Sequence, residues 1–336
     1  TQSRSSAASD VYKRQILLGI ILGASFMFWA EQPILPTQQT AGVEFTIAAG
    51  SGLKSSMQQI EAAGVPANPL LMIALAQITG NSTKLKAGTY ELKPGTTPTG
   101  LIKQIVRGEF VQEALTVIEG WNFRQMRQAI DKHPGLKHDT AGLSDRDLMA
   151  KISTDFTTPE GLFYPDTYLF AKNSSDLQIY KQAHNLMLKR LNEAWLARSQ
   201  NLPYASAYEA LIMASIVEKE TGKKSERDMI AGVFVNRLRQ GMLLQTDPTV
   251  IYGMGEDFKG NIRKRDLQTD TPHNTYTRLG LPPTPIALPG AESLHAAMNP
   301  AQTDALYFVA RGDGSSQFSA TLDDHNNAVN KYQRGR

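Results

Sequence analysis

The segment "ILLGIILGASFMFWA" at residues 16–30 constrains this chain most, because it is one continuous apolar run near one end of the sequence. Lys13 and Arg14 precede it, and no lysine or arginine follows before Lys54. A membrane-spanning helix needs about 20 apolar residues, and positive charge marks its cytoplasmic side. We therefore predict a single-pass transmembrane anchor over residues 16–35, with the N-terminus in the cytoplasm and the bulk of the chain outside.

Two other interpretations of this segment remain open. Fifteen apolar residues is the upper limit for the hydrophobic part of a cleaved signal peptide, although no pair of small residues at a cleavage spacing follows Trp29. The second interpretation is a buried core helix, which is disfavoured because the basic residues lie only on the N-terminal side of the segment. Residues 1–15 are polar and are predicted to be a cytoplasmic or disordered tail, or a non-native addition.

Composition excludes several classes of function. The 336 residues carry a net charge of +3, which is too mild to indicate a nucleic acid as partner. The absence of cysteine excludes disulfides and thiolate chemistry. The six histidines have no paired metal-binding spacing, and neither a phosphate-binding loop nor a dinucleotide fingerprint occurs. We expect no metal and no cofactor.

A weak internal repeat follows the apolar segment. The stretches "FTIAAGSG" at 45–52 and "YELKPGTT" at 90–97 both read as a short strand and a glycine turn leading into an amphipathic helix. Together they predict a small β/α module over residues 43–109. The pattern aromatic-x-apolar-x-x-Gly-x-x-Leu at 45–53 resembles the start of LysM domains, which bind chitin and peptidoglycan glycan strands. An ordinary β-α unit is the alternative.

The remainder, residues 110–336, is predicted to be a larger domain of mixed type. A strand at 112–120 leads into helices, among them one over about 175–200 and one over 206–221, and "ALYFVARGDGSSQFSAT" predicts a hairpin. The fold class is therefore α+β, with an N-terminal transmembrane helix, a small LysM-like β/α module and a larger mixed α+β catalytic domain.

The stretch "ALIMASIVEKETG" places two glutamates at the end of a helix that is apolar nearly all round. On a helix, Glu218 lies over the small residues Ala214 and Ser215, whereas Glu220 points about 200° away. A carboxyl group in apolar surroundings stays protonated, which is what a general acid requires. The alternative is a pair of helix-end charges that reach water and nearby lysines.

Two later segments predict the walls of a cleft. "LLQTDPTVIYGMG" at 243–255 contains Asp247 before a proline, a good helix start. "TPHNTYTRLGLPPTPIALPG" at 271–290 is rich in proline and therefore stiff and extended. Within it, Asn274 and Tyr276 are candidate contacts to a sugar.

These motifs occur together in one known family. "EGLFYPDTY", "MASIVEKET", "SERDMIAGVFVNRL", "MLLQTDPTVIYGMG" and "HNTYTRLGLPPTPIALPG" stand in its order and spacing. Across roughly residues 16–334 the chain resembles the endolytic murein transglycosylases of the YceG-like (MltG) type. The resemblance implies an inner-membrane enzyme whose catalytic domain faces the periplasm. It would cut nascent peptidoglycan strands at the MurNAc–GlcNAc β-1,4 bond, leave 1,6-anhydro-MurNAc ends, and associate with peptidoglycan synthases.

By this resemblance Glu218 is the catalytic residue and Glu220 a nearby motif residue. The predicted substrate-binding residues are Ser215, Glu220, Gln245, Thr246, Asp247, Tyr252, Asn274 and Tyr276. One alternative function is a muramidase that hydrolyses the same bond, with Asp247 as second carboxylate. Another is a non-catalytic glycan-binding scaffold held at the membrane.

Overall fold

The computed structural model describes residues 2–38 and 40–335. The helices are α1 (Gln2–Ala30), α2 (Leu53–Ala62), α3 (Pro69–Ile78), α4 (Pro98–Arg107), α5 (Phe123–Asp131), α6 (Asp145–Ala150), α7 (Asp176–Leu196), α8 (Ala207–Glu220), α9 (Arg227–Arg239), α10 (Asp247–Met254), α11 (Lys264–Gln268), α12 (Ala291–Met298) and α13 (Leu322–Tyr332). The strands are β1 (Val43–Ile47), β2 (Gly88–Leu92), β3 (Gln112–Thr116), β4 (Leu136–Lys137), β5 (Thr167–Ala171), β6 (Ser174–Ser175), β7 (Tyr307–Ala310) and β8 (Ser316–Ser319). The predicted mixed α+β class is confirmed.

The chain forms two compact units. The first contains the residues up to Glu113 together with Phe170–Ser174. The second contains Ala114–Leu169 and Ser175–Arg336. Within the described residues the strands pair two by two, β1 with β2, β3 with β5, β4 with β6 and β7 with β8. The predicted C-terminal hairpin is the antiparallel pair β7–β8.

Helix α1 of the first unit begins at Gln2, so the structure differs from the prediction of a disordered tail over residues 1–15. Its stretch Val11–Ala30 is long and apolar enough to cross a membrane, which is consistent with an anchor or a signal sequence. The end of the helix is fixed to the rest of the unit. Ala30 is fully buried, and its carbonyl accepts a hydrogen bond of 3.1 Å from the Thr99 hydroxyl.

The repeated segments of the first unit form one antiparallel pair of strands with helices packed on it. Phe45 lies opposite Tyr90 in the register, and their rings stack with centroids 5.4 Å apart. Each strand is followed by a glycine turn and a helix, as predicted. The side chains of Asn68 and Thr97 cap α3 and α4, and both helices carry proline in their first turn. The LysM-like assignment remains a prediction.

Helix α8 forms the centre of the second unit. Its residues Ala210 to Val217 are all buried, and it packs against α7, α9, α10 and α12. The Ser206 hydroxyl caps its first turn by accepting from the Glu209 backbone N–H. The predicted helix over 206–221, apolar on both flanks, is confirmed to within one residue at each end. The two glutamates at its C-terminal end therefore follow directly on a fully buried stretch of helix.

The starts of α9 and α10 differ from those that Ser225 and Asp247, residue types common at helix N-caps, would favour. Ser225 does not cap α9, because it lies inside a short 3₁₀ helix, Lys224–Glu226, that runs directly into α9. Asp247 is the first residue of α10 rather than its cap, and the cap position belongs to Thr246. The Thr246 hydroxyl does not bond to its own helix, because another partner uses it, as described below.

Candidate active site

The two glutamates of α8 have different surroundings on opposite sides of the helix. Glu218 and Glu220 are two residues apart, so their side chains point about 200° away from each other around the helix axis. The predicted geometry is confirmed in this respect. The chemistry of each carboxyl group depends on which segments pack against its side of the helix.

The Glu218 carboxyl group is buried and ion-paired. Its Oε1 accepts a hydrogen bond of 3.0 Å from Nη2 of Arg227, and the two side chains are only 5% and 6% exposed. Its Oε2 accepts a second bond of 3.0 Å from the backbone N–H of Gly290, at the N-terminus of α12. Glu218 therefore connects three elements of the unit, α8, α9 and α12.

These contacts differ from the apolar surroundings that the sequence predicts for Glu218. Both of its carboxylate oxygens already accept hydrogen bonds, whereas a general acid needs one oxygen for the proton that it transfers. Gly290 itself lies close to another carboxylate, because a Cβ atom at this position would collide with the Glu119 side chain. The role of Glu218 as the catalytic acid stays a prediction, but its surroundings are those of a structural ion pair.

The surroundings of the Glu220 carboxyl group favour the protonated form that a general acid requires. The residue is half-buried, and the Thr246 hydroxyl donates a short hydrogen bond to its Oε1. Burial raises the pKa of Glu220 to about 7, and the charge of Asp247 adds to the rise. The Thr246 bond and the charge of Arg237 act in the opposite direction, to a smaller extent. A group with this pKa can donate a proton and take it back near neutral pH.

The start of α10 brings together several of the predicted site residues around Glu220. Thr246 donates its backbone N–H to the Thr275 hydroxyl over 3.1 Å. Asp247 accepts a hydrogen bond of 2.6 Å from the Tyr276 hydroxyl. Burial and this bond raise the pKa of Tyr276, which keeps the phenol a donor. Two carboxyl groups and a phenol thus meet at one end of α10.

Gln245 adds a sign of strain at the same place. It is exposed and has a φ of 50°, a left-handed conformation that residues other than glycine rarely adopt. Its backbone N–H donates to the Thr275 carbonyl over 3.1 Å, which holds the conformation. A strained residue persists only where the surrounding structure stabilises it, and such residues are found most often at functional sites.

Two of the predicted substrate-binding residues have structural roles instead. Ser215 is fully buried, and its hydroxyl donates to the Ile212 carbonyl and accepts from the Ile286 N–H. Asn274 is also fully buried, and its amide donates to the carbonyls of Leu267 and Thr269. The polar groups of both side chains have hydrogen-bond partners inside the protein, so neither side chain is accessible to a sugar.

Another buried carboxyl group, Glu160, was not among the predicted site residues. Burial raises its pKa to about 7, although the Phe123 N–H and the Tyr252 hydroxyl both donate to it. The hydrogen bond from the Tyr252 hydroxyl to Glu160 measures 3.1 Å. Glu160 therefore fixes the orientation of Tyr252, one of the predicted binding residues. Glu160 lies in the quoted motif "EGLFYPDTY", which was the signal that could have identified it.

In the described part of the chain, one group of three side chains has metal-ligand spacing: Asp131, His138 and Asp176. The buried Asp176 carboxylate already accepts hydrogen bonds from the backbone N–H and the hydroxyl of Thr140. The carboxylate of Asp176 therefore has a structural role, because it holds Thr140 in place.

Comparison with known proteins gives consistent matches over most of the chain. The model of the YceG-like family matches residues 45–331. The endolytic murein transglycosylase of Bacillus subtilis (strain 168) is 31% identical over 93% of this chain and 91% of its own length. That of Streptococcus pneumoniae serotype 2 (strain D39) is 27% identical over 84% of this chain and 57% of its own. The crystal structure of a YceG-like protein of Listeria monocytogenes superposes with a TM-score of 0.54 and 30% identity, covering 86% and 99% of the two chains.

Proposed function

Because the chain belongs to the YceG-like family, whose relatives include endolytic murein transglycosylases, we propose that it cuts peptidoglycan strands internally at the MurNAc–GlcNAc β-1,4 bond. The cut leaves a 1,6-anhydro-MurNAc end and so terminates elongation of a nascent strand. The apolar helix α1 anchors the enzyme in the inner membrane, with the N-terminus cytoplasmic and the second unit periplasmic. The first unit binds glycan as a LysM-like module, and peptidoglycan synthases are its partners in the membrane.

The observation that carries the mechanism is the position of Glu220, a half-buried carboxyl group that accepts a hydrogen bond from Thr246 beside Asp247. Burial raises its pKa to about 7, so that it can act first as acid and then as base. In the first step the protonated carboxyl donates its proton to the glycosidic oxygen as the C1–O4 bond breaks. In the second step the resulting carboxylate removes the proton of the MurNAc 6-hydroxyl, and the O6–C1 bond forms. Glu220 is regenerated and no water is consumed.

The neighbours of Glu220 support this assignment. The Thr246 hydroxyl donates to Oε1, which orients the carboxyl group and leaves Oε2 for the proton. The Asp247 carboxylate raises the pKa of Glu220, which keeps the acid protonated before the first step, and its negative charge can stabilise positive charge that develops at C1. The Tyr276 hydroxyl fixes the orientation of Asp247.

The proximity of Asp247 also favours a second candidate, a muramidase that uses two carboxyl groups and water. Product analysis separates the two. Full-length protein in detergent is incubated with uncrosslinked glycan strands in ¹⁸O-labelled water, and the new ends are analysed by mass spectrometry. We expect anhydro ends, lighter by one water than reducing ends and free of ¹⁸O. Reducing ends that carry ¹⁸O would establish a hydrolase, and retention of strands without any cleavage would establish a binding scaffold.

A further inference from the structure

Helix α3 of the first unit has an uncovered apolar face. Its sequence, "PLLMIALAQI", contains no charged residue. One side of the helix is buried in the core of the unit through Met72, Leu75 and Ala76. On the other side, Leu70 is 75% exposed and Ile78 is 69% exposed. A helix that is apolar all round is normally buried on all sides, so this face lacks a covering partner in the described structure.

The exposed face of α3 lies beside the apolar helix α1. A groove of about 620 Å³ runs between the two helices. Its lining residues are Leu22, Gly23, Ser25, Phe26, Trp29, Leu71 and Ile78. Since a helix rises 1.5 Å per residue, the α1 part of the groove covers about the last 12 Å of the candidate span Val11–Ala30. Helix α3 therefore lies alongside the span rather than beyond its end.

A bilayer core is about 30 Å thick, so a 20-residue span fills it completely. If Val11–Ala30 spans the membrane, α3 lies beside roughly the outer 12 Å of the hydrocarbon core, next to the headgroups. Trp29 borders the groove at the outer end of the span, and tryptophan is enriched where the hydrocarbon core meets the headgroups. The exposed residues of α3 then continue the lipid-facing surface of α1.

The ends of α3 are also suited to a medium with little water, where unpaired backbone groups are costly. At the N-terminus, Oδ1 of Asn68 accepts from the backbone N–H groups of Leu70 and Leu71, over 2.9 and 3.3 Å. At the C-terminus, the carbonyls of Ala76 and Gln77 accept from the backbone N–H groups of Asn81 and Gly80, over 2.8 and 3.1 Å. Both helix ends thus draw partners from the chain itself.

We propose that α3 is an interfacial membrane helix, and that acyl chains of the periplasmic leaflet fill the groove between α1 and α3. The inference rests on the proposed membrane anchor. Lipid is favoured over a protein partner because the uncharged face is continuous with the lipid-facing surface of α1. The consequence is that the first unit is fixed against the membrane surface, where strands still attached to the membrane are within its reach.

The absence of cysteine allows a direct test with single-cysteine variants of the full-length protein. Leu70→Cys and Ile78→Cys probe α3, Leu18→Cys probes the span, and Lys54→Cys on α2 is the exposed control. Each is labelled with a nitroxide and reconstituted in phosphatidylethanolamine–phosphatidylglycerol vesicles. Collision with molecular oxygen reports lipid, and collision with a water-soluble nickel complex reports water.

We expect the labels at positions 70, 78 and 18 to favour oxygen and the label at 54 to favour nickel. If the label at position 18 favours oxygen but the labels at 70 and 78 favour nickel, as the control label at 54 does, then α3 does not contact lipid although α1 spans the membrane. If 18 also favours nickel, the anchor fails and the docking with it. Spin–spin broadening at 70 and 78, with little collision with either reagent, would show a second copy of the chain on this face and overturn the proposal.

Discussion

Replacing Glu220 with glutamine is expected to lower the rate of glycan cleavage by at least about 10²–10⁴-fold. General acid–base assistance alone is worth this much, and here one group supplies it in both steps. Glutamine keeps the volume of the side chain and can still accept the hydrogen bond from Thr246, but it can neither donate nor remove a proton. The rate is measured as anhydro ends formed per minute by full-length protein in detergent.

The stability of the same variant shows whether it is folded. The pKa of Glu220 rises from 4.5 in an exposed glutamate to about 7 in the folded protein. The folded state therefore holds a proton that the unfolded state loses, so wild-type stability falls as pH rises from about 4.5 to about 7 and stays lower above. Glutamine avoids this loss, so at pH 8 Glu220→Gln should be more stable than wild type, by up to about 3 kcal/mol. A folded variant that cleaves at the wild-type rate would exclude Glu220 as the acid.

Replacing Arg227 with methionine is expected to destabilise the protein by about 3–5 kcal/mol, because it leaves the Glu218 carboxylate buried without a counter-charge. Both side chains are almost inaccessible, and Gly290 alone cannot offset the charge. Unfolding in urea at pH 7 measures the loss. The double variant Arg227→Met with Glu218→Gln should recover much of it, since no unpaired charge then remains.

Arg278 provides the matched control, because it forms an exposed ion pair of 2.8 Å with Asp270. Exposed pairs contribute little, so Arg278→Met should change the unfolding midpoint only slightly. Equal effects of Arg227→Met and Arg278→Met would contradict a structural role for the Glu218–Arg227 pair. Loss of cleavage in Glu218→Gln, beyond what its folded fraction explains, would restore Glu218 as the acid.

The contrast between the two glutamates shows how far the sequence could predict this site. The helix, its burial and the opposite directions of Glu218 and Glu220 followed from the apolar pattern and the helical period. The same pattern could not predict which of the two carboxyl groups lies next to a cation. Arg227 reaches Glu218 because the turn at 221–226 folds α9 back against α8, and no local pattern encodes that contact.

The loops were harder to predict than the helix for a similar reason. Asn274 and Tyr276 are two residues apart in one loop, and both were predicted to contact a sugar. Tyr276 bonds to Asp247 beside Glu220, whereas Asn274 turns inward and holds the loop together through backbone carbonyls. Polar residues in loops serve both purposes, and only the packed structure separates them. Glu160 was missed because its burial depends on the distant Phe123 and Tyr252.

The central claim is that cleavage depends on a protonated Glu220, and the pH dependence of the wild-type rate tests it most directly. Single-turnover cleavage is measured from about pH 5 to 9, with the folded fraction followed by circular dichroism. Burial also raises the pKa of Glu160 to about 7, so the same profile is recorded for Glu160→Gln, where any change of rate with pH must come from another group.

A general acid with a pKa of about 7 predicts a rate that falls about tenfold per pH unit on the alkaline side, in both the wild type and Glu160→Gln. Because the folded fraction is measured, a loss of stability cannot imitate this decline. A rate that stays constant up to pH 9 in folded protein, or that declines only in the wild type and not in Glu160→Gln, would contradict the assignment of Glu220.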